Sequence, residues 1–319
     1  MRQTDNTMTT PMPLDISVII CAHNPRADYL DRVLSGLRLQ DLSQDRWELL
    51  LIDNGSADPL AGRFDISWHS AGRHVAEPRL GLTPARVTGI RESSGQLLVF
   101  VDDDNVLRPD YLTAALEIEM RHPTLGAWSG RLVPDFEVEP PAEIVPYLGK
   151  LCLRDFRGER WSNQDYGADS PYGAGMCVRR EVAMRYASRV SSDQGRLALD
   201  RSGDGLGTMG DIDLAMTGLE IGLGCGIFDS LELTHLIPAR RLTLDFLVRL
   251  IRDATASELV YRRIRNLPEP SEGSGIDRLV SWYKYVRASP IDRQFERAKR
   301  EGRNRGLAML EKLTQGLSL

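Results

Sequence analysis

The chain has 319 residues, 42% of them hydrophobic and 27% charged, with a formal charge of −5. That is the composition of a soluble globular protein, one large domain or two ordinary ones, and no apolar run approaches the ~18 residues of a membrane-spanning helix. Four scattered cysteines, Cys21, Cys152, Cys177 and Cys225, form no CxxC pair, which argues against zinc and against a disulfide framework and fits a reducing cytosol.

In chain order, residues 1–14 read as a short disordered lead without the apolar core of a secretion signal. Asp15 to Cys21 (DISVIIC) is apolar and β-branched, a buried strand. Leu30, Val33, Leu34 and Leu37 recur at helical spacing behind Asn24-Pro25, which places Asn24 as the cap of that helix and Pro25 at its first position. Trp47 to Ile52 is a second buried strand, running into Asp53 and a turn at Asn54-Gly55. A weaker strand is expected over Ile66 to His69, then a helix started by Thr83-Pro84. Gln96 to Val101 is the next strand, and Pro109 opens a helix containing Leu112, Leu116 and Met120.

Alternating strands and helices imply βαβ units and a mostly parallel sheet. Ligands bind such sheets beyond the carboxyl ends of their strands, and here those ends carry Asn24, Asp53 and Asp102 to Asp104. Beyond Arg131 long loops follow, Pro134 to Pro146 and Ser162 to Gly175, of a length often used for lids or binding. Leu242, Phe246, Leu250 and Ala254 lie four apart in a helical tail, divided by Pro268 to Gly275. From Ala239 onward 17 Lys and Arg face 10 Asp and Glu, so a basic tail of +7 hangs from an acidic body of −12. This is either a well-solvated helical face or a contact for an anionic membrane or acceptor.

Three candidate groups carry chemistry. In LLVFVDDDNV (Leu97 to Val106) a buried strand runs into three carboxylates, a costly arrangement unless a cation or proton resolves it. Asp102 and Asp104, two apart, point to one side; oxygen ligands suit Mg2+ or Mn2+, usually completed by substrate phosphates. A polar turn with one helix-capping Asp explains the same residues. Asp211 sits in the first turn of an amphipathic helix, where the helix dipole keeps a carboxylate ionised, as suits either a base or a cap. His235 ends the strand LELTH and carries an imidazole acceptable to manganese. The glycines of GDGLGTMG and GLGCG do not join a strand to a helix in an N-terminal βαβ unit, and neither a P-loop nor a Gx-Ser-xG elbow is present. Dehydrogenase, ATPase and α/β-hydrolase readings are therefore excluded.

Taken together and in order, SVIICAHN, LLIDNGS, EPRLGLTPARVTGIRESSG, FVDDDNVLRPDYL, YGAGMCVRRE, GDIDLAMTGLEIG and LTHLIPARRL resemble the family 2 glycosyltransferases. The resemblance covers roughly Asp15 to Pro238. It implies an α/β GT-A fold, with a mostly parallel central sheet flanked by helices, over residues 15–238, and leaves 239–319 as a basic helical extension. It further implies that Ala22, His23, Asn24 and Asp53 hold the base and ribose of a nucleotide-sugar donor, with Arg79 and Arg86 nearby. Asp102, Asp103 and Asp104 match the family's DxD element, with Asp104 the foremost metal ligand, joined by Asp102 and His235. Gly173, Ala174, Gly175 and Met176 would line the donor sugar, and Asp211 falls where the family places its catalytic base. The family's Glu-Asp pair is here Gly210-Asp211, so the neighbour of the base is lost and Asp213 competes for the role.

The resemblance thus implies a non-processive, inverting, divalent-cation-dependent glycosyltransferase. It would move one sugar from a nucleotide-diphosphate donor, a UDP-sugar first among them, to a carbohydrate or lipid-linked hydroxyl. It would work in the cytoplasm or at the inner face of the membrane through the basic tail, with no nucleic acid as partner. A nucleotidyltransferase or a non-catalytic nucleotide-sugar-binding module are the alternatives. The first fits poorly, because CAHNPRAD stands where a glycine-rich phosphate loop should be.

Overall fold

The computed structural model describes residues 14–191, 193–200, 205–268, 283, 285 and 287–316. The expected N-terminal lead up to Pro13 and the segment dividing the helical tail beyond Pro268 lie outside them. A nine-stranded sheet organises the chain in the order β3-β2-β1-β4-β8-β6-β9-β5, with β7 pairing beside β9. Its strands are β1 (Ile16–Ala22), β2 (Trp47–Asp53), β3 (Gly72–Ala76), β4 (Leu97–Asp102), β5 (Asn105–Leu107), β6 (Leu125–Phe136), β7 (Glu159–Ser162), β8 (Met176–Arg179) and β9 (Gly224–Ile237). Parallel pairing runs through β3-β2-β1-β4 and again between β6 and β9, while β8, β5 and β7 pair antiparallel.

The helices are α1 (Ala27–Arg38), α2 (Leu82–Glu92), α3 (Tyr111–Arg121), α4 (Arg180–Val190), the short α5 (Gln194–Leu197), α6 (Gly210–Met216), α7 (Leu244–Ile264) and α8 (Pro290–Thr314). Side chains alternate across a strand, and β1 shows the consequence. Ile16, Val18 and Ile20 pack with Leu30, Val33, Leu37, Leu112 and Ile118 of α1 and α3. Ile19 turns to the other face, with Ala85 and Ile90 of α2 and Val182 and Tyr186 of α4. Helices on both faces explain why β1, β2 and β4 are apolar at nearly every position rather than at every second one.

A third cluster joins Ile237 at the end of β9 to Leu247, Leu250 and Ile251 of α7 and Phe295 and Ala298 of α8. Gly302 and Gly306 let the two helices approach closely; a Cβ on Gly302 would collide with the Arg252 carbonyl and one on Gly306 would lie 2.9 Å from that of Ala256. None of the helices among the described residues is long and apolar enough to cross a membrane.

Two local expectations are corrected. Ile66 to His69 is a turn, and the edge strand is Gly72–Ala76 instead. Asn24 does not cap α1, which begins after Arg26. It adopts the left-handed conformation at φ 47°, and its Oδ1 accepts the Ala57 N–H at 2.9 Å, tying the loop after β1 to the loop after β2.

Candidate active site

Strand register gathers the acidic groups on one edge. Ala22 pairs with Asp53 and Cys21 with Asp102, so the carboxyl ends of β1, β2 and β4 finish level. Because β8 runs antiparallel to β4, with Phe100 opposite Met176, the Gly173 to Gly175 loop that precedes β8 arrives at the same edge. The antiparallel β5–β9 ladder sets Asn105 opposite His235, which carries Asp104 to the imidazole.

At the ends of β1 and β2, Asp53 holds its own loop: Oδ1 accepts the Ser56 N–H at 2.9 Å and Oδ2 the Leu60 N–H at 3.0 Å. Partial burial opposes its charge, but those two amides outweigh burial and its pKa lies below the ordinary carboxylate value. His23 Nδ1 lies 2.8 Å from the Asn54 carbonyl, and Asn24 Nδ2 lies 3.0 Å from His23 Nε2. Asn54, which its sequence context marks only as a turn residue, donates to the Glu77 and Arg79 carbonyls and accepts from Gly81 N–H. It thereby fixes the segment leading into α2. Ala22, Ala174 and Met176 bury their side chains in the core and reach the edge through backbone alone. Arg79 projects from the rim, paired with Glu77 at 3.1 Å.

The metal candidates divide. Asp104 and His235 are both nearly buried, with Oδ2 and Nε2 3.7 Å apart. Between them stands a residue to which the sequence motifs give no role: Arg241 Nη1 lies 3.0 Å from Asp104 Oδ2 and 3.3 Å from His235 Nε2. The lone pairs of a carboxylate and an imidazole therefore converge on a position held by positive charge, which is how a cation site is built. His235 Nδ1 is buried without a hydrogen-bond partner. Asp102 and Asp103 do not join them in a compact set, and no group of three His, Cys, Asp or Glu side chains disposed to hold a metal occurs among the described residues. Two protein ligands suffice for a hard cation completed by phosphate oxygens, so Asp104 and His235 fit such an ion once Arg241 withdraws.

Across the edge, α6 presents Asp211 in its first turn. Its Oδ2 accepts the Gly173 N–H at 2.7 Å and its Oδ1 the Ile212 N–H at 2.8 Å. Burial pushes its pKa up to about 6, against the pull of Arg86 and with the help of Asp200. Arg86 is buried within the molecule rather than open to solvent, bonded to Asp200 Oδ2 at 2.7 Å. A Cβ on Gly173 would stand 2.9 Å from Arg86 Nη2 and 3.0 Å from Asp211 Oδ2, so both groups converge over that glycine. Gly175, at φ +68°, serves the packing instead, since a side chain there would strike Tyr111 Oη, which donates to the Gly175 carbonyl at 2.7 Å. Asp213, the competitor for the base, is fully buried and held by Arg196 Nη1 at 2.5 and 2.6 Å, away from the edge.

Trp161, an exposed aromatic on β7, lies opposite Gly226, on the order of 30 Å along β9 from His235. One cavity, about 930 Å3, is an open groove against Arg196, Arg263 and Leu310 that none of the edge residues lines. A second, about 450 Å3, reaches Arg79, Asp200, Leu206 and Asp253.

Comparison with known proteins bears on the family and the fold. Among curated relatives, the glycosyltransferase AglE of Haloferax volcanii is 33% identical over 100 residues, 30% of this chain and 32% of that protein. An N-acetylglucosaminyltransferase of Mesorhizobium japonicum is 29% identical over 188 residues, 57% of this chain and 41% of that one. The match spans less than half the length of either relative. The solved structure of mannosyltransferase PcManGT from Pyrobaculum calidifontis, in complex with GDP-Man and Mn2+, superposes with a TM-score of 0.54 at 18% identity, covering 97% of this chain and 78% of that one. S. aureus TarS 1–349 gives 0.50 at 11%, covering 95% and 92%. At such identities the likeness concerns the fold, which is GT-A-like. The Glycosyl transferase family 2 profile matches residues 17–185, more than half of the chain and every strand from β1 to β8, and on that ground the chain belongs to glycosyl transferase family 2.

Proposed function

We propose that the protein transfers one sugar from a nucleotide-diphosphate donor to an acceptor hydroxyl, with inversion and with Asp211 as the general base. The observation that carries this reading is the pairing of two unlike sites on one sheet edge. Asp104 and His235 converge on a cation's position, while Asp211, raised in pKa and turned toward the glycine loop, stands apart from them. A divalent ion between Asp104 and His235 would supply Lewis-acid stabilisation of the departing diphosphate. The chain's own residues do the rest. Asn54 and Asp53 fix the loops that receive the nucleotide, and Arg79 offers charge at their rim. The Gly173 N–H holds the Asp211 carboxylate in place, and Asp211 takes the acceptor proton as the hydroxyl attacks. One displacement needs no covalent intermediate and inverts the anomeric carbon.

UDP-N-acetylglucosamine and GDP-mannose are the first donors to try, since relatives are named for the one sugar and a structural neighbour holds the other nucleotide sugar. Release of free nucleoside diphosphate, rather than pyrophosphate, is the expected product, and a protein that binds donor but releases nothing is a binding module. Asp211→Asn should bind donor as the parent does and turn it over at least about 10²-fold more slowly. Near-parental turnover moves the base elsewhere.

A further inference from the structure

Gly210 stands immediately before Asp211, where the sequence lacks a side chain. The space it leaves is not empty. A Cβ on Gly210 would lie 2.6 Å from Asp200 Oδ1 and closer still to Oδ2, so the Asp200 carboxylate fills the volume of the missing side chain. Asp200 reaches that place from the segment after α5, which is pinned by the Met209 N–H on the Leu199 carbonyl at 3.1 Å. It is 7% exposed. Its Oδ2 accepts from Thr83 Oγ1 at 2.9 Å and from Arg86 Nη1 at 2.7 Å. The other end of the same guanidinium, Nη2, and Asp211 Oδ2 each lie about 3 Å from the place a Cβ would take on Gly173, 2.9 and 3.0 Å respectively, across a gap that no ion pair closes. One buried cation is thus bonded to Asp200 and acts through space on Asp211, two carboxylates that lie 11 positions apart in sequence.

We propose that Asp200 is the positioning residue of the base: it anchors Arg86 by one nitrogen, keeps the guanidinium from closing onto Asp211, and stands in for the side chain absent at Gly210. This rests on Asp211 being the base. An opposite charge within about 4–6 Å lowers a carboxylate's pKa by 1–3, so an Arg86 released from Asp200 would pair with Asp211 and make it a poor proton acceptor. Among the described residues, the groups that act on Asp211 include Arg86 from α2, Asp200 from the segment before α6, Tyr166 from the loop after β7, and the Gly173 and Ile212 amides. Asp102 acts on Arg86 from the β4 side. A merely structural Asp200 would satisfy Arg86 for stability and leave the kcat of the folded variants alone.

The test uses the full chain with Asp200→Asn and, separately, Gly210→Ala, which evicts the Asp200 carboxylate without removing it. The Asp211 carboxyl, assigned by its loss in Asp211→Asn, is followed by carbon-13 titration. Its midpoint of about 6 should fall by about 1 or more in both variants. With Mn2+ and UDP-N-acetylglucosamine or GDP-mannose, nucleoside diphosphate release should lose at least about tenfold in kcat, with donor KM unchanged. The transposed variant Asp200→Gly/Gly210→Glu should recover most of the loss. An unmoved midpoint in either folded variant overturns the proposal, as does loss confined to KM or failure of the transposition to rescue. If Asp211→Asn is inactive while both variants match the parent, only the role of Asp200 falls; if Asp211→Asn turns over normally, the base assignment falls with it.

Discussion

Two aspartates two positions apart on α6 show how local surroundings decide what a carboxylate does. Asp213 faces inward, is fully buried, and meets the nearly buried Arg196 through both its oxygens; breaking such a pair leaves an uncompensated charge, so its role is to hold α6 in place. Asp211 faces the sheet edge, has backbone amides as its hydrogen-bond partners, and sits at one remove from a guanidinium that another carboxylate already engages. Burial keeps its pKa near 6, and a base of that strength is ionised at neutral pH yet still takes up a proton readily. The sign is direct. With Asp211 as the proposed base, turnover needs the ionised form, so it should rise about tenfold per pH unit below 6 and level off above it, giving about one-tenth of the plateau at pH 5. An acid limb near 4, the ordinary aspartate range, would mean that another group takes the proton. The competition between Asp211 and Asp213 could not be resolved from GDIDLAM alone, because both lie in one helical turn. Arg196, which holds Asp213 inward, comes from a separate short helix with no motif of its own.

At the scale of elements, the legible parts were those with a local cause. β1, β2 and β4 announce themselves because both faces are buried, and α6 because its apolar residues recur behind an acidic first turn. β3 was misplaced for the converse reason. GRHVA is an edge strand paired only with β2, half exposed along its length, whereas the more apolar Ile66 belongs to a turn that packs inward. Asn24-Pro25 reads as a helix start, but Asn24 bonds across to Ser56 and Ala57, a link that no spacing reveals. The helical tail also proved to be more than an appendage. From α7, Asp253 Oδ2 accepts the Leu206 N–H at 3.1 Å and Ser257 Oγ the Thr208 N–H at 3.3 Å, bracing the segment that leads into α6. α8 is pressed onto α7 at Gly302. Gly302→Val should therefore force the helices apart and cost about 1–3 kcal/mol in denaturant unfolding. Gly149→Ala, with nothing within 4 Å of its new methyl, should stay within about 0.5 kcal/mol. Equal effects at the two sites would mean that α7 and α8 do not meet there.

For the whole molecule, the uneven charge has its contact point at Arg241. The acidic body presents Asp104 and His235 at its rim, and the basic segment that follows β9 begins by laying a guanidinium across them. Charge counting along the sequence showed the asymmetry but not where the two parts touch, since that depends on β9 delivering its last residues to the edge beside β4. The same arrangement would couple two binding events, those of the proposed cation and donor. While Arg241 occupies the position between carboxylate and imidazole, a divalent ion entering there must displace it; a donor diphosphate offers the displaced guanidinium a better partner through bidentate hydrogen bonds. Cation and donor should then each strengthen the other's binding, and by equal factors. Arg241→Gln removes the competitor and also the guanidinium proposed to bond the diphosphate. Without donor, its Mn2+ affinity by calorimetry or electron paramagnetic resonance should exceed the parent's by about 5- to 150-fold, the usual span of such couplings. With UDP-N-acetylglucosamine or GDP-mannose present the advantage should shrink or reverse. Asp104→Asn should lose Mn2+ binding on either background. Mn2+ affinity indifferent to residue 241 would separate the guanidinium from the cation site, and with it the idea that the resting protein guards its own acidic rim.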